Sequence, residues 1–216
     1  PPDRPAGFRV EDNWPRTGCA NACTNAAVGF ATNFEINKNT LQRAIYQGNT
    51  RVGGSLAMLK CQDEKCGTFV TGVSEELHPT LNQEAKQVNL GPALAFNTHY
   101  RVIVYGDDNG LRSTDNKNLV TLNYDSNNDG RADAFSWYFT TGQNACALSR
   151  IEINKPSLAL YEDDSSSLEA RPFSRPDSCS PNDGQPLDPM KMSFDWKACA
   201  FKNGDINKEC ATDCSA

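Results

Sequence analysis

Oxygen-bearing side chains recur at alternate positions in the segment 125–133, which reads Asp-Ser-Asn-Asn-Asp-Gly-Arg-Ala-Asp. This pattern is typical of the first part of a calcium-binding loop, in which carboxylate and amide oxygens converge on a hard cation and a glycine permits the sharp turn. The predicted calcium ligands are Asp125, Asn127, Asp129, Arg131 through its backbone carbonyl, and Asp133.

The same segment departs from the EF-hand pattern at its end. Where that pattern has a bidentate Glu, this chain has Ser136, inside the next predicted strand. A helix-loop-helix site is therefore excluded, and a bound ion would need a further ligand from elsewhere. The alternative is a solvated Asn/Asp turn that holds no metal. Asp107, Asp108 and Asp115 form a second acidic patch that could also supply ligands.

Nine cysteines make disulfide bonding the second chemistry to weigh: Cys19, Cys23, Cys61, Cys66, Cys146, Cys179, Cys199, Cys210 and Cys214. A zinc site normally uses C-x2-C knuckles or histidine partners, whereas the local spacings here are C-x3-C and C-x4-C, and neither His78 nor His99 lies near them. We therefore interpret the cysteines as disulfide candidates, which are typical of an oxidising compartment. Because the count is odd, at least one thiol is free or bonds outside the chain.

Catalytic arrangements are poorly represented. The sequence holds no Gly-x-Ser-x-Gly elbow, no His-Glu-x-x-His helix and no phosphate-binding glycine loop. His99 lies on the strand face opposite the predicted core, and His78 precedes Pro79 in a predicted loop. Glu75 and Glu76 are adjacent, so on an extended segment they would point to opposite faces and could not flank one bond. We predict that the chain is not an enzyme.

Four aromatic residues fall outside the predicted core pattern: Trp14, Tyr46, Tyr161 and Phe173. Such rings could stack on sugars in a glycan-binding patch. Packing in the core or between modules is the alternative.

The charge and the hydrophobic pattern of the sequence argue against a nucleic-acid partner and against membrane insertion. The 216 residues carry 21 Lys and Arg against 27 Asp and Glu, a formal charge of −6. Phosphate binding depends on clustered Lys and Arg, and the sequence contains no such cluster. We therefore predict no nucleic-acid partner. Since no apolar stretch approaches the roughly 18 residues of a membrane span, we also predict no membrane insertion in this segment.

Alternating apolar residues predict strands over much of the chain. The clearest runs lie in the segments 28–36, 98–106 and 135–139, with shorter ones at 56–59, 68–73, 88–90 and 119–122. We expect the pair 56–59 and 68–73 to form a hairpin closed by a Cys61 to Cys66 disulfide. About seven strands separated by turn signals, without a long helical pattern, predict an antiparallel sandwich.

The pattern divides the chain into three parts. Residues 1–17 are proline-rich and predict an extended arm, residues 18–145 a β-sandwich domain, and residues 146–216 a smaller, incomplete unit stapled by disulfides. In that last part the strand candidates are 148–153, 158–160, 168–171 and 192–196. We read the chain, which begins Pro-Pro-Asp-Arg-Pro, as a processed chain or a fragment.

Three pieces of the segment 28–142 follow one another in a particular order: Phe34–Asn37 with Thr40 and Leu41, then Leu94–Val102, then Phe135–Gly142. In this order they resemble the bacterial Ig-like domains of surface and secreted proteins, a group that includes surface-layer-type Ig modules. The resemblance implies that the first piece begins a sandwich, that Tyr100 lies at the corner of a core strand, and that the third piece is the last strand. Residues 146–198 are more loosely similar to the start of another such module, with Trp196 as a core aromatic, which implies a tandem arrangement.

The sequence thus predicts an all-β chain, an Ig-like antiparallel β-sandwich followed by a smaller disulfide-rich β unit. We expect a calcium-stabilised structural or adhesive module of an extracellular, cell-surface protein that assembles with neighbouring Ig-like modules or with copies of itself into a filament or layer. The arm could complete the sheet edge of another copy. The alternative is a carbohydrate-binding or enzyme-accessory module of a secreted protein.

Overall fold

The computed structural model describes residues 7–47, 50–70, 74–120, 122–126, 129–154 and 168–194. These residues form short strands and two single turns of 3-10 helix, Lys38–Thr40 and Pro189–Lys191. The strands are β1 (Val10–Trp14), β2 (Cys19–Ala22), β3 (Gly29–Thr32), β4 (Ile45–Gln47), β5 (Thr50–Gly53), β6 (Leu56–Cys61), β7 (Thr80–Leu81), β8 (Gln87–Asn89), β9 (His99–Tyr105), β10 (Ala134–Thr141), β11 (Arg150–Ile153) and β12 (Ala170–Phe173). The all-β prediction is confirmed for the described part of the chain.

Two four-stranded sheets make up most of the fold. The first sheet has the order β1-β3-β8-β7, and the second has the order β2-β10-β9-β6. Smaller two-stranded sheets join β4 to β5 and β11 to β12. The named strands pair antiparallel as predicted, with one exception. Strand β2 runs parallel to β10. The Ig-like assignment stays a prediction.

The two large sheets share one core of buried side chains. Phe30 and Val88 come from the first sheet, and Val102, Trp137 and Phe139 come from the second. Their alternate spacing along β3, β9 and β10 is the pattern that predicted these strands, because successive side chains of a strand point to opposite faces. The Tyr100 hydroxyl, also in this core, accepts a hydrogen bond from the Ala95 amide at 2.9 Å.

The opposite face of β9 is also buried, which the simple alternation did not predict. Ile103 and Tyr105 pack there with Ala44 and Leu59, and Tyr46 covers them from the β4–β5 hairpin. The Tyr46 and Tyr105 hydroxyls share a hydrogen bond of 2.8 Å. Burial raises the pKa of both hydroxyls above the ordinary tyrosine value. The hairpin explains why this apolar face avoids water.

Six of the nine cysteines lie within the described residues, and three disulfides join them. Cys61–Cys66 closes the predicted local loop, where the Val70 amide donates to the Lys60 carbonyl at 2.9 Å. The neighbouring pair Cys19 and Cys23 is not bonded locally. Cys19 bonds to Cys179 and Cys23 bonds to Cys146, across sequence separations of 160 and 123 residues. Cys199, Cys210 and Cys214 lie outside the described residues.

Some strand predictions fail. Leu119 forms only an isolated bridge to Phe8, and its neighbour Val120 is exposed, so the described residues of the predicted strand 119–122 do not form a regular strand. Residue 121 lies outside the described residues. The predicted strand 192–196 has a 3-10 turn before it and no strand in its described part, 192–194. Residues 71–73, 158–160 and Trp196 lie outside the described residues. The domain boundaries at 17 and 145 stay predictions.

Part of the predicted arm belongs to a sheet of its own chain. Residues Val10–Trp14 form β1, which pairs antiparallel with β3. Phe8 and Val10 join the shared core. Strand donation of this arm to another copy would therefore first require β1 to leave β3.

Candidate functional site

A groove of about 610 Å³ lies between the outer face of the first sheet and β12. Its floor comes from β1, β7 and β8, and its wall from β12 and the segment 186–190. Both apolar rings and amide side chains line it, which is the mixture that small-molecule sites usually present. We treat it as the candidate functional site.

The floor of the groove is set by strand register. Trp14 pairs with Gly29, Gly29 with Asn89, and Asn89 with Thr80, so this row shares one face of the sheet. A Cβ atom at Gly29 would lie 2.7 Å from the Trp14 indole nitrogen. The absence of a side chain at Gly29 therefore lets the indole lie across β3. Gln87 belongs to the adjacent row, beside Ala31.

The wall of the groove is anchored to the floor by polar contacts. The Arg171 guanidinium donates to the Gln87 side-chain oxygen. The Glu169 carboxylate accepts a hydrogen bond from the Gln83 backbone amide at 2.7 Å. Phe173 carries the Arg150 guanidinium 4.5 Å from its ring centroid, so one of its faces is already covered.

The structure brings together two of the four predicted sugar-stacking residues. Trp14 and Phe173 both line the groove. Tyr46 packs instead against the outer face of β9. Tyr161 lies outside the described residues. The sequence signal for a shared site was weak, because the pairing register of β1 with β3 places the Trp14 ring. The spacing of the aromatic residues along the sequence does not reveal that register.

A second cluster, next to the groove residues Asn89, Pro189 and Met190, was missed by the sequence reasoning. The buried Asp188 carboxylate accepts a hydrogen bond from the Asn89 side-chain amide at 3.0 Å. Its other oxygen lies 3.8 Å from the Lys191 ammonium. Asp188 also caps the 3-10 turn by accepting from the Met190 amide at 3.1 Å. Asn89 and Asp188 are 99 residues apart, so no local pattern could have linked them.

The predicted calcium loop is organised by its own carboxylates. Asp125 accepts hydrogen bonds from the amides of Asp129 at 3.2 Å and Gly130 at 2.8 Å. Asp133 accepts from the Ser126 amide at 2.9 Å. Asp129 accepts from the Arg131 amide at 2.9 Å. Asn127 lies outside the described residues.

Metal-ligand side chains form one close group of three within the described ranges. That group is Cys23, Cys146 and Asp177, with ligand atoms within 4.8 Å of one another. Both cysteines are consumed in a disulfide, so they cannot coordinate as thiolates. The predicted calcium ligands do not form such a group in the described part of the chain.

The second acidic patch is spread over separate contacts. Asp107 makes a two-pronged ion pair with Arg51, whose second nitrogen lies 2.9 Å from the carboxylate. Asp115 pairs with Lys117 at 2.6 Å, and this contact, with the Ser113 hydroxyl, lowers the pKa of the Asp115 carboxyl. Asp108 is almost fully exposed. These three carboxylates serve different partners and do not converge.

The two histidines and the paired glutamates have separate partners. The His99 ring nitrogen Nδ1 lies 2.7 Å from the Thr140 hydroxyl. His78 lies 3.7 Å from Glu76, and Glu75 lies 3.3 Å from the Lys60 ammonium. Glu75 and Glu76 therefore do not face one common point. Within the described residues, no helix has the length and apolar character needed to cross a membrane.

Comparison with known proteins adds little to this description. No family model matches the sequence, and no curated protein matches it. The chain is similar to domains 1–6 of the surface layer protein SbsC, with 14% identity over 68% of this chain and 15% of that one and a TM-score of 0.35. It is also similar to the S-layer protein rSbsC(31-844), with 14% identity over 92% of this chain and 21% of that one and a TM-score of 0.36. Similarity at this level assigns no family, and the chain spans only a small part of either protein.

Proposed function

We propose that the chain is a structural, adhesive Ig-like module of an extracellular cell-surface protein, which packs against further copies of itself in a filament or layer. Strand β11 carries this proposal. Ile151 and Ile153 are 45% and 42% exposed, and among the described strands β11 pairs only with β12. A two-stranded sheet is marginal alone, and exposed apolar strands are typical association surfaces.

The extracellular location rests on sulfur chemistry. The described residues contain three disulfides, two of which close loops of more than a hundred residues. Reducing compartments keep cysteine thiols reduced, whereas the disulfides of secreted and surface proteins persist in their oxidising environment.

Sedimentation velocity over rising protein concentration tests the association. We expect the unmodified chain to shift towards larger species and the Ile151→Lys/Ile153→Lys variant to stay monomeric, because the added charges cannot be buried without a partner. Ile45→Lys is the matched control, since Ile45 is 62% exposed on a different strand. The proposal would be contradicted if the unmodified chain were monomeric at every concentration. It would also be contradicted if the Ile45→Lys control lost association as completely as the Ile151→Lys/Ile153→Lys variant.

Calcium stabilisation is a further part of this proposal. The carboxylates of Asp125, Asp129 and Asp133 lie in one short loop, and each oxygen that accepts one amide hydrogen keeps another lone pair for an ion. At about 100 times the dissociation constant, calcium would raise the free energy of unfolding by about 2.7 kcal/mol. Thermal melting with calcium and with chelator measures this, and Asp125→Asn should abolish the shift. Identical melting curves would end the calcium hypothesis.

A carbohydrate-binding module is the second candidate function. It is favoured by the Trp14 ring lying across Gly29 in a groove that the Gln87 side-chain amide also lines. Aromatic faces with adjacent amide groups suit sugar rings and their hydroxyls. A glycan array should give signals that Trp14→Ala abolishes and that Phe96→Ala, an exposed aromatic outside the groove, leaves unchanged. An array without signals would leave only the structural function.

The proposal includes no turnover of a substrate. It is supported by the partners of His99, His78 and Glu75, each of which is engaged in a separate contact. Assays with generic ester, peptide and glycoside substrates would contradict it if they showed activity that scaled with protein concentration.

A further inference from the structure

Asp188 lies between two groups that can react with each other. Its Oδ1 accepts a hydrogen bond from the Asn89 side-chain nitrogen at 3.0 Å, and its Oδ2 lies 3.8 Å from the Lys191 amine nitrogen. The Asp188 side chain is only 2% exposed, and the Lys191 side chain is 32% exposed. A primary amide, a primary amine and a shielded carboxylate thus share one site.

The Lys191 amine is held beside the strand that carries Asn89. Its nitrogen donates to the Pro92 carbonyl at 3.1 Å, three residues beyond Asn89. Burial lowers the pKa of this amine below the usual lysine value, although Asp188 opposes the shift. A larger fraction of the amine is therefore neutral and nucleophilic than at an exposed lysine.

Both polar ends of the Asn89 side-chain amide are held by hydrogen bonds. Its oxygen accepts a hydrogen bond from the Gly91 backbone amide at 3.2 Å, where negative charge would develop. Its nitrogen, the leaving group, already faces the Asp188 carboxylate. Gly91 adopts a φ of +56°, which favours glycine at the position that directs this amide.

We propose that Lys191 and Asn89 form an intramolecular isopeptide bond, with Asp188 as the catalytic proton carrier. The neutral Lys191 nitrogen attacks the Asn89 side-chain carbonyl carbon and forms the new C–N bond. Asp188 takes the proton from the attacking nitrogen and passes it to the Asn89 side-chain nitrogen. The old C–N bond breaks and ammonia leaves. Asp188 is regenerated, and no oxidant, reductant or cofactor takes part.

The bond would tie β8 to the 3-10 turn Pro189–Lys191. It would be a covalent link between the first sheet and the segment beyond β12 that reduction cannot open. This inference is independent of the proposed function, since it depends only on the three side chains and the Gly91 amide.

Mass spectrometry of the full purified chain under reducing conditions tests the proposal. We expect a mass about 17 Da below that of the reduced sequence, the loss of one ammonia. Because a succinimide at an asparagine would cause the same loss, the deciding observation is a proteolytic peptide in which Asn89 and Lys191 are joined. Recovery of the two residues only in separate peptides would overturn the proposal.

Variants separate the roles of the three side chains. Lys191→Arg keeps the positive charge but removes the nucleophile, so the linked peptide should disappear, whereas Lys117→Arg, at the exposed pair with Asp115, should leave it intact. Asp188→Asn keeps an oxygen for the Met190 amide and should slow formation by about a hundredfold or more, because it cannot carry the proton. Circular dichroism and disulfide content confirm that each variant is folded. Unslowed formation in folded Asp188→Asn would remove the role of Asp188.

Discussion

The shared core and the disulfide junction are held together by different interactions. The core around Trp137 packs large apolar rings from two sheets, and Phe30 meets Trp137 edge-on at 6.3 Å. The junction is the region around Cys19–Cys179 and Cys23–Cys146. Cys19 and Cys179 lie within the shared core, whereas Cys23 belongs, among the described residues, to a small separate cluster with Ala26 and Leu187.

Buried hydrogen bonds make up part of the difference at the junction. Gln185, 2% exposed, accepts from the Cys23 amide at 3.0 Å and donates to the Asp177 carboxylate at 2.6 Å. Asp177 in turn accepts from the Cys179 amide at 2.8 Å. Gln185 and Asp177 together thus connect the backbone at both disulfides. Around Cys23, where the buried apolar cluster is small, a sulfur bridge and satisfied polar groups therefore supply more of the stabilisation.

Removal of the long-range disulfide should have the largest effect. The Cys19→Ser/Cys179→Ser variant should lose about 4 kcal/mol of unfolding free energy, because with Cys23–Cys146 still closed it releases a loop of roughly 40 residues in the unfolded chain. Denaturant unfolding measures the loss. The Cys61→Ser/Cys66→Ser variant is the control, and should lose only about 2 kcal/mol because its loop is short. Equal losses would mean that loop closure does not explain the junction.

Truncation in the core should come next. Trp137→Ala, at a side chain that is 1% exposed, should cost about 3–5 kcal/mol through lost burial and the cavity left behind. Phe96→Ala, at an exposed ring, should change stability by no more than about 0.5 kcal/mol. The same measurement applies, and a mild effect at Trp137 would show that the two sheets do not depend on a shared core.

Gln185→Leu should have an intermediate effect that is specific to the junction. It leaves the Cys23 amide and the Asp177 carboxylate without this partner, which should cost about 1–3 kcal/mol. Gln143→Leu, at an exposed glutamine, is the matched control. Amide hydrogen exchange should rise at Cys23 and leave β9 unchanged. Uniform acceleration across both regions would contradict a local role.

The smallest effect should appear at Asp63, in the loop closed by Cys61–Cys66. Backbone amides, chiefly that of Gly67, lower the pKa of this exposed carboxyl. Its stabilisation is therefore complete above the ordinary aspartate pKa of about 4 and is lost as pH falls through the lower folded pKa. Asp63→Asn should flatten this part of the pH–stability curve. Parallel curves for the two proteins would exclude the contribution.

Sequence reasoning succeeded where a physical period governs structure. The alternation of Tyr100, Val102 and Val104 placed β9, because side chains of one parity share one face. It failed for Ile103, since the hairpin that covers the other face comes from a distant part of the chain. It also assigned the Cys61–Cys66 pair, whose loop is short enough for spacing to carry geometric information.

Contacts between distant segments were beyond that reasoning. Nothing in the spacing of Cys19 and Cys23 indicates partners 160 and 123 residues away. The groove and the Asn89–Asp188 contact depend likewise on the packing of β12 and the following turn against the first sheet. The calcium loop was predicted from the spacing of its oxygen-bearing residues, and its carboxylates accept hydrogen bonds from amides of the same loop.

Peptide mapping of the non-reduced chain, isolated without exposure to thiols and alkylated at once, tests the covalent junction most directly. Bridged peptides for Cys19–Cys179, Cys23–Cys146 and Cys61–Cys66 are the expected result. A bridge between Cys19 and Cys23, or alkylation of all four junction cysteines, would contradict the account.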